Sequence, residues 1–187
     1  MFRLTVDEEL ELRLLEPRHA PELFALVEAH RAHIREWVRT PASLMSVEDA
    51  HTYIERSLKA FAVQDGLLVG LWHQERLVGE ILRFRTNWIE RSTELAYWLA
   101  DTYQGRGFMT RACRAVIHHA FTELGLNRVE IRCATGNRRS RGIPERLGFS
   151  HEGTIRDAQW IQDRFVDHAV YGLLAREWGA PPHSASA

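Results

Sequence analysis

Two cysteines in 187 residues are too few for a disulfide framework, and Cys113 and Cys133 lack the short spacing of a metal-binding pair. They read as reduced core residues of a cytoplasmic protein. No apolar run approaches the ~20 residues that cross a bilayer, so no membrane partner is expected. The N-terminus carries acidic residues where a secretory leader would be basic and then apolar. A dominant charge is missing too: 24 Lys and Arg against 25 Asp and Glu leave a formal net charge of −1. No basic field is available to wrap a nucleic-acid backbone. Ten histidines are scattered without metal-like partners, so no metal is expected and none of them is given a role. Neither an internal repeat nor a linker divides the chain. These absences leave one globular domain over residues 1–178 and a flexible tail over 179–187 that has no pattern to bury.

What is present is more specific. Tyr97-Trp98-Leu99-Ala100-Asp101-Thr102-Tyr103-Gln104-Gly105-Arg106-Gly107-Phe108-Met109-Thr110 runs from an apolar strand through two glycines into a helix. Apolar residues then recur at Met109, Ala112, Cys113, Val116, Ile117, Ala120, Phe121 and Leu124, at helical spacing. The glycines therefore stand at a helix N-terminus, where free backbone N–H groups and the helix dipole favour an anion. The pattern is neither the G-x-G-x-x-G of dinucleotide folds nor a P-loop with its Lys-Ser/Thr.

Around this loop the chain alternates strands and helices. A strand at Leu10–Leu15 precedes a helix after Pro17 that carries Leu23, Phe24, Leu26 and Val27 on one face. A second helical region is expected around Trp37 and a third from Ser46 to about Ala62. Strands follow at Leu67–Trp72 and Leu77–Phe84, joined by a tight turn at Gln74-Glu75, and then at Thr93–Leu99 and Arg128–Cys133. A short helix from near Ser140, a strand from Phe149, a turn at Gln162-Asp163 and a final strand close the chain. Proline is tolerated in a first helical turn and costs ~3 kcal/mol in an interior. Pro144 therefore places the start of the short helix near Ser140.

The glycine loop, Glu94-Leu95-Ala96-Tyr97-Trp98-Leu99, Asn137-Arg138-Arg139-Ser140, and Glu145-Arg146-Leu147-Gly148-Phe149 followed by Glu152-Gly153 together resemble the Gcn5-related N-acetyltransferases, the GNAT family. Met109, in place of the usual last glycine or alanine of the loop, is similar to the subgroup that acetylates the N-termini of ribosomal proteins on serine or alanine. The resemblance covers nearly the whole chain. It implies an α/β (α+β) fold: a single mixed, mostly antiparallel, twisted sheet of about seven strands with helices on both faces, its splayed central strands holding acetyl-CoA. It further implies transfer of the acetyl group to a primary amine by direct attack in a ternary complex. A protein N-terminus, that of a ribosomal protein, is the leading acceptor. A small amine such as a polyamine, amino acid or aminoglycoside is the alternative, as is an acyl-CoA-binding module without turnover. A homodimer is also compatible with the resemblance.

Residue roles follow from the same likeness. The backbone near Trp98 and Leu99 would hold the thioester carbonyl, and the N–H groups from Gln104 through Gly105, Arg106, Gly107, Phe108 and Met109 to Thr110 would take the diphosphate. Arg106 would add charge there, Arg138, Arg139 and Arg141 would suit the remaining phosphate, and Asn137 and Ser140 would contact the cofactor. Many GNAT proteins carry a tyrosine seven residues after this asparagine as general acid; here that position is Pro144. Ser140 would take over as the acid, and a helix cap is the competing role for it. Glu94, on one sheet face with Ala96 and Trp98, would accept the amine's proton through water. Gln159 stands where some relatives have a glutamate, which leaves Asp157 as the nearest other acid. Arg35 and Trp37 would line the acceptor channel.

Overall fold

Alternating apolar residues build the first strands, and hairpin turns set their partners. In the computed structural model, which describes residues 2–179, β1 (Arg3–Thr5) and β2 (Leu10–Leu14) pair antiparallel. β3 (Leu67–His73) and β4 (Arg76–Asn87) form a hairpin over Gln74 and Glu75. Both turn residues have positive φ, 49° and 61°, as the turn that matches strand twist requires. β5 (Ser92–Leu99), β6 (Arg128–Ala134), β7 (Ser150–Ile161) and β8 (Arg164–Leu174) complete an eight-stranded sheet in the order β1-β2-β3-β4-β5-β6-β8-β7. The mixed, mostly antiparallel sheet expected from the resemblance is therefore present, with the three-residue β1 as an added edge strand. The expected tail lies outside the described residues, apart from Gly179.

The β5–β6 pair is parallel, which demands a crossover, and α3 (Phe108–Thr122) provides it. The predicted apolar stripe of α3 is buried at Met109, Ala112, Cys113, Val116, Ile117 and Ala120, with Phe108 added to it and with Phe121 and Leu124 only partly buried against the core. Each large side chain there contributes about 1.5–3 kcal/mol of burial. This face of the sheet also carries Leu95, Ile131 and Tyr171. The opposite face packs on α1 (Ala20–Ile34) and α2 (Val47–Ala62) through Leu23, Val27, Ile54, Leu68 and Trp98. α2 begins where expected: Ser46 Oγ accepts from Asp49 N at 3.0 Å, a side-chain cap.

Two local expectations change. Trp37 lies in a turn after α1 rather than in a helix. Arg31 reaches from α1 to the carbonyls of Ala42 and Leu44, which ties down the connecting segment, whose only helical piece is a single 3-10 turn at Pro41–Ser43. The second change concerns α4, which spans Arg138–Arg146 and so has Pro144 in its interior. Asn137 is its N-cap, with Oδ1 accepting from Ser140 N at 3.1 Å; Ser140 is the third helical residue. Pro144 offers no N–H to the Ser140 carbonyl four residues earlier. The Tyr97 hydroxyl donates to that carbonyl instead, at 3.0 Å, which is why the proline is accommodated. Burial holds the Tyr97 phenol well above its ordinary pKa of 10, so it stays protonated and able to donate.

Candidate active site

β5 and β6 separate halfway along their length. Their pairing runs from Ser92↔Arg128 to Leu95↔Ile131 and stops, while β5 continues to Leu99 and β6 to Ala134. On its other side β6 stays paired with β8 as far as Ala134↔His168. Beyond Leu95, then, main-chain groups of β5 face a gap instead of a neighbour. Such groups need partners, and an extended molecule can supply them as an added strand would.

The gap opens into a cleft of about 1260 Å³. Glu94, Trp98, Leu99, Gln104, Gly105, Gly107, Phe108, Met109, Thr110, Asn137, Ser140 and Trp37 all border it. Gly105 and Gly107 have φ of 76° and 74°, conformations that disfavour any side chain. A Cβ on either would meet nothing within 4 Å, so their free faces leave space for a ligand at the start of α3. Arg139 and Arg138 border the same end. Arg106 does not border the cleft; its guanidinium lies over the Phe108 ring at 4.4 Å.

The Gln104 side chain braces the loop. Its amide contacts His33 Nε2 at 2.6 Å and accepts from Arg139 at 2.6 Å, tying the loop to α1 and α4. His30 adds a contact to Asp101 at 2.8 Å. Two histidines left without a role by sequence reasoning therefore position the glycine loop. Arg141 does not border the cleft; its guanidinium donates to the Tyr171 hydroxyl at 2.9 Å and the Thr135 carbonyl at 3.1 Å.

Ser140 Oγ donates to Cys133 Sγ at 3.3 Å, across the base of the gap. Burial pushes the Cys133 thiol up, so it remains a neutral acceptor. Glu94 is bound to Arg85 at 2.9 Å, with Arg132 at 3.9 Å. Asp157 sits in an irregular stretch of β7 at φ 49°, and its side chain does not border the cleft, whereas Gln159 does. Gln159 Oε1 pairs with His168 Nε2 at 2.9 Å. Arg35 supplies its carbonyl to Gln162 Nε2 at 3.3 Å, joining the β7–β8 turn to the segment after α1. The Trp37 ring stands over Gly136, where a Cβ would touch it at 3.5 Å.

Among the lining residues that sequence reasoning did not single out is Glu80 of β4, 3% exposed. The available signal was a single carboxylate inside the apolar run Leu77-Val78-Gly79-Glu80-Ile81-Leu82. Among the described residues no group of three or more His, Cys, Asp and Glu converges as a metal site. No described helix is long and apolar enough to cross a membrane.

The splayed strands, the glycine loop opening α3 and the cleft between them are features of an acyl-transfer fold, and comparison with known proteins agrees. Residues 9–150 match the Acetyltransferase (GNAT) domain, and the chain belongs to that family and is an N-acetyltransferase. It is 36% identical to the YdaF protein of Bacillus subtilis over 181 residues, 95% of this chain and 98% of that one. It is also 26% identical to the ribosomal-protein-serine acetyltransferase of Escherichia coli over 91% of this chain and 96% of that one. The solved structure of RimL, a ribosomal L7/L12 α-N-protein acetyltransferase in complex with coenzyme A, superposes with a TM-score of 0.90 at 22% identity. It covers 92% of this chain and 98% of its own.

Proposed function

We propose that this chain transfers the acetyl group of acetyl-CoA to the N-terminal α-amine of a protein, with a ribosomal protein as its acceptor in the cytoplasm. The observation that carries the reading is the unpaired stretch of β5 beyond Leu95, which leads directly to the glycine loop. An extended thioester-bearing arm fits such a gap, and a diphosphate suits the N–H groups and open glycine faces at the start of α3. Acetyl-CoA, when bound, supplies an activated acyl group and a thiol leaving group.

The chain's own residues supply the rest. β5 main-chain N–H groups near Trp98 and Leu99 orient and polarise the carbonyl. Ser140, held by the Asn137 cap and by Tyr97 on its carbonyl, donates its hydroxyl proton to the departing sulfur. Arg139, Arg138 and the loop amides hold phosphate. The acceptor enters past Trp37 and the β7–β8 turn. A terminal α-amine has a pKa of roughly 7.7–8.0, so it is partly neutral near pH 8 and reacts without a strong base. The name and full-length similarity of the E. coli enzyme support this acceptor class.

The test is release of free thiol from acetyl-CoA with peptides bearing N-terminal Ser or Ala, against a panel of polyamines, amino acids and aminoglycosides. Turnover on the peptides is expected. Turnover confined to small amines would replace the acceptor, and CoA binding without turnover on any amine would make the chain a binding module.

A further inference from the structure

A second hollow, of about 500 Å³, lies on the other side of the glycine loop, between it and the β3–β4 turn. His73, Gln74, Arg76, Tyr103 and Arg106 line it, and none of the five borders the cleft. The turn builds one wall. With Gln74 and Glu75 at its corners, the hairpin closes on the pair His73↔Arg76, and directly opposed residues share a sheet face with Cβ atoms ~4.5–5.5 Å apart. An imidazole and a guanidinium therefore leave the sheet side by side. The loop builds the other wall. The His73 ring packs on Phe108, the first residue of α3, with centroids 4.8 Å apart, and meets the Tyr103 ring at 5.9 Å. The Arg106 guanidinium lies over the same Phe108 ring at 4.4 Å.

The positive charge gathered there is not neutralised. The acids next to these residues in the chain or the sheet are engaged elsewhere: Glu75 with Arg13 at 2.6 Å, Asp7 and Glu9 with Arg111 at 3.2 and 3.0 Å, and Asp101 with His30 at 2.8 Å. Among the described residues no carboxylate pairs with Arg76 or Arg106. His73 is 5% exposed, and its Nδ1 stands 3.2 Å from the Glu9 carbonyl. A carbonyl can only accept, so Nδ1 carries the hydrogen and Nε2 of the neutral ring keeps a lone pair. Neither that Nε2 nor the Tyr103 hydroxyl has a hydrogen-bond partner among the described residues. A ring nitrogen of so buried a side chain is ordinarily paired. Two unpaired guanidiniums, a free hydroxyl and one free acceptor thus face a single hollow.

We propose that this hollow is a second anion site, separate from the cleft, and that its ligand is inorganic phosphate in the hydrogenphosphate form. Arg76, Arg106 and the Tyr103 hydroxyl donate to the bare oxygens, and the phosphate hydroxyl donates to Nε2 of His73. Sulfate, which carries no hydroxyl, would set a lone pair against that nitrogen. The site stands apart from the end of the cleft that Arg138 and Arg139 border. It nevertheless touches the glycine loop, because Arg106 sits between Gly105 and Gly107 at φ 76° and 74°. Phosphate held by Arg106 therefore acts on the loop from the side opposite the diphosphate. This last link rests on the acetyl-CoA reading above; the phosphate site itself does not.

The test is calorimetric titration of inorganic phosphate into the protein at pH 8, with and without saturating acetyl-CoA, for wild type, Arg76→Ala and His73→Phe, with sulfate as the control anion. Wild type loaded with acetyl-CoA, so that the loop's diphosphate site is filled, should bind one phosphate per chain and favour it over sulfate at least tenfold. Arg76→Ala, at an exposed position, should weaken phosphate binding about tenfold, or about 1.4 kcal/mol, with its thermal unfolding unchanged. His73→Phe keeps a ring on Phe108 and should bring phosphate affinity down to that of sulfate. No saturable phosphate binding by wild type, equal affinity for the two anions, or undiminished binding in Arg76→Ala overturns the proposal. Phosphate binding that acetyl-CoA abolishes and 3′-dephospho-acetyl-CoA leaves intact also overturns it, by giving the hollow to the coenzyme's own 3′-phosphate. If the protein binds no acetyl-CoA, the acetyl-transfer reading falls, and the titrations without coenzyme still decide the phosphate site through Arg76→Ala.

Discussion

Replacing Tyr97 by Phe tests the coupling between β5 and the helix that carries Ser140. Pro144 has no N–H, so the Ser140 carbonyl depends on the Tyr97 hydroxyl, 3.0 Å away. Removing that hydroxyl leaves a part-buried carbonyl without its partner and should cost about 1–3 kcal/mol. Pro144→Ala restores the N–H that an α-helix would direct to the same carbonyl. In that background Tyr97→Phe should cost about 1 kcal/mol less, and the difference is the coupling energy of a double-mutant cycle. Urea denaturation of the four proteins, with m-values unchanged, reads it directly. Turnover offers a parallel readout: Tyr97→Phe should lower kcat more in the wild-type background than with Pro144→Ala, because Ser140 is then held from only one side. Equal costs of Tyr97→Phe in both backgrounds would refute the argument that the tyrosine compensates for the proline.

Other outcomes follow from the same geometry. Ser140→Ala should lower kcat at least tenfold with acetyl-CoA affinity within twofold, and an unchanged rate would remove Ser140 as the acid. Gly107→Ala has open space for its Cβ, so it should cost only about 1 kcal/mol of backbone strain while weakening acetyl-CoA binding more than tenfold by calorimetry. Glu80 also sets a pH dependence of stability. Its pKa rises from 4.5 in the unfolded chain to about 7 in the fold, so the folded state binds the proton more tightly. The associated stability is full below the unfolded pKa and is lost as pH rises through 7. Glu80→Gln should therefore gain on wild type by about 2 kcal/mol between pH 5.5 and 8.5, from 1.36 kcal/mol per pKa unit; a pH-independent difference in urea midpoints would contradict this. Gly79→Ala would drive a methyl into the Trp98 carbonyl, displacing the end of β5, and should reduce acetyl-CoA binding and thermal stability together.

Local sequence made much of the site legible. The period of α3 and the two glycines before it fixed the loop, because a left-handed residue at a helix start has few substitutes and an apolar stripe has one way to be buried. The Gln74-Glu75 turn was readable for a similar reason. Trp37 was misplaced because what fixes its segment is Arg31, bonding to carbonyls eleven and thirteen residues away, which no local pattern signals. α4 began earlier than Pro144 suggested because the partner of the orphaned carbonyl lies 43 residues off in sequence. The histidines looked idle for the same reason: His33 meets Gln104 only once α1 packs beside the glycine loop.

The sequence by itself determined seven of the sheet's eight strands, the helix that opens on Gly107 and the family likeness, since each depends on residues adjacent in the chain or on one face of one element. Only the tertiary structure decided which carboxylates are available. Glu94 lies on β5, which borders the gap, and Glu80 on β4 next to it, yet an arginine on β4 engages the first, and the packing of α2 buries the second against Tyr53. Charge neutralisation and desolvation are properties of neighbours brought from elsewhere in the chain, so the chemistry of each acid appears when those neighbours are in place.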